Sequence, residues 1–144
     1  MKKGLLILLA GAIVAGCATF DGDIPLDTAS ETTYISPLNA DGVQDALEIT
    51  GSIPEAEGLR LAGYRFVIQD EQGQSVYEQR EEVEVGTFAR WFGFGAVQQL
   101  PASLVWAGVT QDGQPAAEGS YNWSIEVWDR RDNRGVAGPY RVVV

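Results

Sequence analysis

Ser120-Tyr121-Asn122-Trp123-Ser124-Ile125-Glu126-Val127-Trp128 alternates bulky apolar and polar side chains. A period of two places Tyr121, Trp123, Ile125 and Val127 on one face and Asn122, Ser124 and Glu126 on the other. That is the signature of a β-strand with one side buried. A strand carrying four large groups on one face needs a second layer to cover them. Gly119 precedes it, where the chain is expected to enter the strand at a crowded corner. Asp129 to Asn133 follows as a turn, and Pro139 to Val144 reads as a last strand.

Upstream, short runs of Val, Ile, Tyr, Phe and Trp recur between Gly, Asp, Asn and Pro clusters. They predict strands over Thr32 to Ile35, Ala46 to Ile53, Leu59 to Gln69, Gln74 to Arg80 (with pairing that can reach Val85) and Ser103 to Trp106. In the third, Leu59 and Leu61 share one parity and Tyr64, Phe66 and Ile68 the other. The slip falls at Ala62-Gly63, which predicts a bulge or bend. Asp70-Glu71-Gln72-Gly73 and Gln111-Asp112-Gly113-Gln114 read as turns. Gly42, in the Asn39 to Asp45 stretch, and Gly113 allow positive φ in tight turns. Trp106 and Trp123 are large enough to bridge sheets about 10 Å apart. No window shows sustained helical periodicity, and there is no internal repeat. Seven or so short strands in about 110 residues predict an all-β, immunoglobulin-like antiparallel β-sandwich.

The N-terminal end is of another kind. Lys2 and Lys3 precede an unbroken apolar run from Gly4 to Gly16, and Cys17 is the single cysteine. A positive start, a short apolar stretch and small residues before a cut are the parts of a secretory signal. The run is short of the ~20 residues a membrane span needs. Val14-Ala15-Gly16-Cys17 resembles a bacterial lipobox. That resemblance implies a diacylglyceryl group on the Cys17 thiol, cleavage before Cys17 and an N-acyl lipid on the new amino group. Ala18 in the next position, where Asp would retain a lipoprotein at the inner membrane, implies the outer membrane. Three segments follow: a lipoprotein signal peptide over 1–16, a lipidated cysteine with an acidic tether over 17–32, and the sandwich over 33–144. The tether holds Asp21, Asp23, Asp27 and Glu31 with little to bury. Fifteen extended residues reach about 50 Å.

The 144-residue chain has a formal net charge of −10. Removing Lys2 and Lys3 from its ten basic side chains leaves eight against twenty acidic ones, about −12. This argues against nucleic acid as a partner, since phosphates call for Lys and Arg. It also argues against adsorption to anionic headgroups by charge, so the acyl chains have to do the holding.

A second resemblance lies in the folded part. Ser36-Pro37-Leu38-Asn39-Ala40-Asp41-Gly42-Val43-Gln44-Asp45 is similar to the opening of small β-sandwich modules of bacterial envelope and secreted proteins. In the family Leu38 is absent and Asn stands for Gln44. Ser103 to Gly108, Asp112-Gly113, Glu118-Gly119-Ser120-Tyr121 and Asp129 resemble the punctuation of the C-terminal immunoglobulin-like domain of the flagellar hook-capping protein. Ala107 stands where that family has Asp. Related modules occur in gliding-motility and spirochaete envelope proteins. The resemblance implies a fold and says little about activity.

Two segments stand out as sites. Asn39, Asp41 and Asp45 have oxygen ligands at metal-like spacing, but the twelve-residue calcium loop signature fails, with no Glu at its end. An Asx turn uses the same residues, so calcium and turn both stay open. Trp91, Phe92 and Phe94 among glycines suit either a partner-binding aromatic loop or a cap on the open end of the sandwich. Glu78, Glu81, Glu82 and Glu84 read as a solvated acidic edge that discourages pairing with other chains. Arg130, Arg131 and Arg134 sit in the last turn.

With no histidine, Ser-His and Cys-His pairs and zinc-histidine sites are excluded, and no Gly-Lys phosphate loop exists. The expectation is no enzyme, no catalytic residues and no cofactor beyond the covalent lipid. It is instead a lipid-anchored envelope protein presenting a binding or structural module to an envelope protein or glycan. The alternatives are a surface adhesin and an accessory of flagellar or secretion assembly.

Overall fold

A computed structural model describes residues 23–38, 44–54, 60–83 and 99–144. Among them are seven strands and no helix: β1 (Asp27–Ala29), β2 (Leu47–Ser52), β3 (Leu61–Gln69), β4 (Ser75–Glu82), β5 (Leu104–Trp106), β6 (Ser120–Asp129) and β7 (Arg134–Val143). They form two sheets, ordered β1-β2-β5 and β4-β3-β6-β7. Every neighbouring pair is antiparallel. The fold is an all-β, immunoglobulin-like sandwich. Relative to the constant-type arrangement, the fourth strand lies beside the third rather than beside the fifth.

The alternation in β6 does what its period requires. Tyr121, Trp123, Ile125 and Val127 all turn into the core, and Asn122 faces solvent. Tyr64, Phe66 and Ile68 of β3 join them from the same sheet, and Leu47, Ile49, Leu104 and Trp106 meet them from the other. Trp106 is fully buried, and its ring lies 5.4 Å from that of Tyr121 across the sandwich. Each such side chain contributes about 1.5–3 kcal/mol on burial. The polar tips are satisfied. Trp106 Nε1 donates to the Val109 carbonyl at 2.6 Å, and the Tyr121 hydroxyl donates to the Ala117 carbonyl at 2.8 Å. The latter is the tyrosine-corner bond expected at the start of this strand of a sandwich.

The parity slip in β3 is real. Its register with β6 shifts between Leu61 and Gly63. The Trp128 ring then lies against Gly63 so closely that a Cβ would stand 2.5 Å from its Cζ2. Gly113 takes φ +76, as its turn requires. Gly119 is different from expectation: a Cβ there would meet nothing within 4 Å and its φ is ordinary, so the corner is not crowded.

The N-terminal boundary also needs correction. Residues up to Thr32 read as tether, yet Ile24 is core, 2% exposed, and Leu26 packs against it. Asp27–Ala29 pairs with Thr50–Ser52 as β1. The predicted strand over Thr32 to Ile35 is only one parallel bridge, Tyr34 to Val143. Ile24 N–H donates to the Arg134 carbonyl and Ile35 N–H to that of Val143. The segment 24–35 therefore accompanies β7 from one end to the other, and its middle pairs with the opposite sheet. The last strand begins at Arg134 rather than Pro139, and the Gly138–Pro139 peptide within it is cis.

Candidate functional site

Cys17, Asn39, Asp41, Glu84, Trp91, Phe92 and Phe94 lie outside the described residues, so the aromatic loop and most of the oxygen cluster have no described geometry. Asp45 lies just before β2, and the ends of its loop meet where Ser36 N–H donates to the Gln44 carbonyl at 2.7 Å. Among the described residues no three or more His, Cys, Asp or Glu side chains gather as metal ligands. No helix among them is long and apolar enough to cross a membrane.

The surface that is fully described is the outer face of the four-stranded sheet and its β4 edge. Period-two parity sends Glu78, Arg80 and Glu82 of β4, Arg65 of β3, Glu126 and Trp128 of β6, and Arg134 of β7 to this face. Opposite charges sit next to one another there. Arg65 Nη2 meets Glu78 Oε2 at 2.8 Å, Arg80 Nη2 meets Glu82 Oε2 at 2.8 Å, and Arg134 Nη1 meets Glu126 Oε1 at 2.6 Å. The Arg80 guanidinium also lies 5.1 Å from the Trp128 ring centroid, roofing an indole that is nearly buried. The hydrogen bond from Arg65 is the main reason the Glu78 carboxyl is held below its ordinary pKa, and Glu78 in turn raises Arg65. On the inner side, burial raises the Tyr64 hydroxyl above its ordinary value, partly offset by the bond it accepts from Gln79 Nε2 at 2.9 Å.

At the rim, Gln111 fills the start of the β4 edge. Its N–H donates to the Val76 carbonyl at 2.8 Å, and its side-chain Oε1 accepts from Glu78 N–H at 2.9 Å. One residue thus makes two of the bonds a neighbouring strand would make.

The glutamates expected as a solvated acidic edge are in part ion-paired. Glu78 and Glu82 hold arginines, and Arg134 of the last turn holds Glu126. The hairpin turn at Asp70 could have revealed the first pair, since it sets Arg65 opposite Arg80 with Glu78 on the diagonal. No sequence signal marked Gln111, whose role depends on a contact with a strand more than thirty residues earlier. Chemically the face offers charges and backbone groups for recognition.

No known family model matches the chain, and no curated protein matches it. Among solved structures it is similar to dimeric latent PorU from Porphyromonas gingivalis at 15% identity and a TM-score of 0.48, over 87% of this chain and 10% of that one. The chain thus spans about a tenth of the PorU chain. It is also similar to CopC from Methylosinus trichosporium OB3b, at 15% identity and a TM-score of 0.41 over 84% of this chain and 92% of that one. A third likeness is to the CARDB domain of a Pyrococcus furiosus protein in complex with di-metal ions, at 13% identity and a TM-score of 0.37 over 88% of this chain and 92% of that one.

Proposed function

We propose that this chain is a lipid-anchored protein of the bacterial cell envelope that presents one non-catalytic β-sandwich as a binding or structural module. The observation that carries the reading is Val14-Ala15-Gly16-Cys17 at the end of a charged and then apolar leader. A β-sandwich whose outer face is laced with ion pairs is consistent with it, as is a chain without histidine. Two or three acyl chains on Cys17, at about 0.8 kcal/mol per buried methylene, hold a small domain at a bilayer almost permanently. The outer membrane is the proposed destination, and the proposed partner is an envelope protein or glycan met through loops or strand edges. Exposure to a host as an adhesin, or service in flagellar or secretion assembly, differs in place and partner and uses the same module.

Metabolic labelling with a clickable fatty acid, followed by membrane fractionation, tests the anchor. The wild-type chain is expected to take label and sediment with outer membranes, while Cys17→Ser takes none. Equal labelling of the two would overturn the proposal. Protease treatment of intact cells then separates a periplasmic module from a surface adhesin. Hydrolysis of peptidoglycan or model glycosides, abolished by a single carboxylate substitution, would replace the non-catalytic reading with an enzymatic one.

A further inference from the structure

We propose that β4 is a surface on which a second copy of this chain can add antiparallel, and that Gln111 is the stop that holds this pairing off. The direction of the backbone groups comes first. The Val76 carbonyl and the Glu78 N–H both face Gln111, away from β3. By the period of a strand, the N–H and carbonyl groups of Arg80 face the same way. Among the described residues no strand pairs with that side of β4.

Charge then selects the occupant. In an antiparallel pair about a two-fold axis at Gln79, Glu78 lies opposite Arg80 of the second copy and Arg80 opposite its Glu78. Two complementary pairs form at once, as an isologous interface requires. Moving the axis to Arg80 sets Arg80 opposite Arg80 and Glu78 opposite Glu82, like charges in both of these rows. Moving it to Glu78 sets Glu78 opposite Glu78. Complementarity thus favours the axis at Gln79, and that register needs the Glu78 N–H as a ladder donor. Gln111 Oε1 already holds that donor at 2.9 Å. Gln111 is itself fixed by its turn, where Thr110 N–H donates to the Gln114 carbonyl at 2.8 Å and Gly113 N–H to that of Thr110 at 2.9 Å. With Gln111 seated, the register free of like-charge rows is closed; what is left of the edge can pair Arg80 with Glu82 of a second copy about an axis at Glu81, but that sets Glu81 opposite Glu81.

Analytical ultracentrifugation of the full chain in a mild detergent, over a range of protein concentrations, tests this. Wild type and Gln111→Glu, which keeps an acceptor oxygen, are expected as monomers. Gln111→Ala frees the Glu78 N–H, leaves the main-chain bond to the Val76 carbonyl in place, and is expected to double the protein mass through the Glu78–Arg80 rows, as a closed two-fold pair does. Adding Arg80→Glu to Gln111→Ala places acid opposite Glu78 and is expected to restore the monomer. Arg80→Ala serves the same purpose if the reversal fails to fold. Hydrogen exchange gives a second reading: in Gln111→Ala the Glu78 amide should exchange fast when dilute and become protected as the mass doubles. A Gln111→Ala chain that stays monomeric, a pair indifferent to Arg80, or a wild type already paired through β4 would each overturn the proposal.

Discussion

Three glycines do three different jobs. Gly63 leaves room for the Trp128 ring, Gly73 takes φ +78 in open space, and Gly119 has neither a close neighbour nor an unusual φ. Replacing each with Ala should separate steric from conformational cost. Gly63→Ala is expected to destabilise by about 1–3 kcal/mol through overpacking, Gly73→Ala by about 1–2 kcal/mol through the left-handed backbone, and Gly119→Ala by almost nothing. Urea unfolding of the three variants measures the order. Tyr121→Phe removes the hydroxyl that satisfies Ala117 and should cost about 1 kcal/mol. The burial that raises Tyr64 favours its neutral form in the folded state. The associated stability is present below the ordinary tyrosine pKa and lost as pH rises through the raised one. A spectroscopic alkaline titration should find Tyr64 ionising late, and Tyr64→Phe should resist alkaline unfolding better than wild type.

At the scale of elements, the long alternating strands were legible because two-fold parity is a local property. β6 needs only its own residues to declare its buried face, and the bulge in β3 is visible as a change of parity before Tyr64. β1 was not legible, because Asp27-Thr28-Ala29 has no apolar face of its own and becomes a strand only by pairing with β2. The signal that could have corrected the boundary is Ile24 and Leu26, two large side chains in otherwise acidic surroundings. Ile24→Ala is therefore expected to cost about 2–5 kcal/mol, as a core truncation does. A chain begun at Thr33 should melt well below one begun at Asp23, and thermal unfolding compares them. The Arg65–Glu78 pair between β3 and β4 behaves differently. The lowered pKa of Glu78 gives a stabilisation present above the ordinary carboxylate range and lost as pH falls through the depressed value. With both partners more than a third exposed or close to it, that stabilisation is small and salt-sensitive.

The whole molecule combines a sandwich closed by its core with an excess of acid. Loop chemistry was the least legible part of its candidate site, since alternation declares which face a strand buries and carries no such signal for a loop; Asn39, Asp41, Trp91, Phe92 and Phe94 lie outside the described residues. Correcting the boundary from Thr33 to Ile24 changes the geometry of attachment. With Cys17 acylated as proposed, only residues 17–23 separate lipid from fold, a leash of at most about 25 Å instead of 50 Å. It joins the molecule beside Arg134, at the end of the sheet where β6 turns into β7. The hairpin at Asp70 and the turn at Gln111 lie at the opposite end of strands about 33 Å long. The domain would then stand with one end near the headgroups and the other no more than about 60 Å above them. Whatever it meets must come to that layer, and neighbouring copies on the same bilayer would be confined to it together.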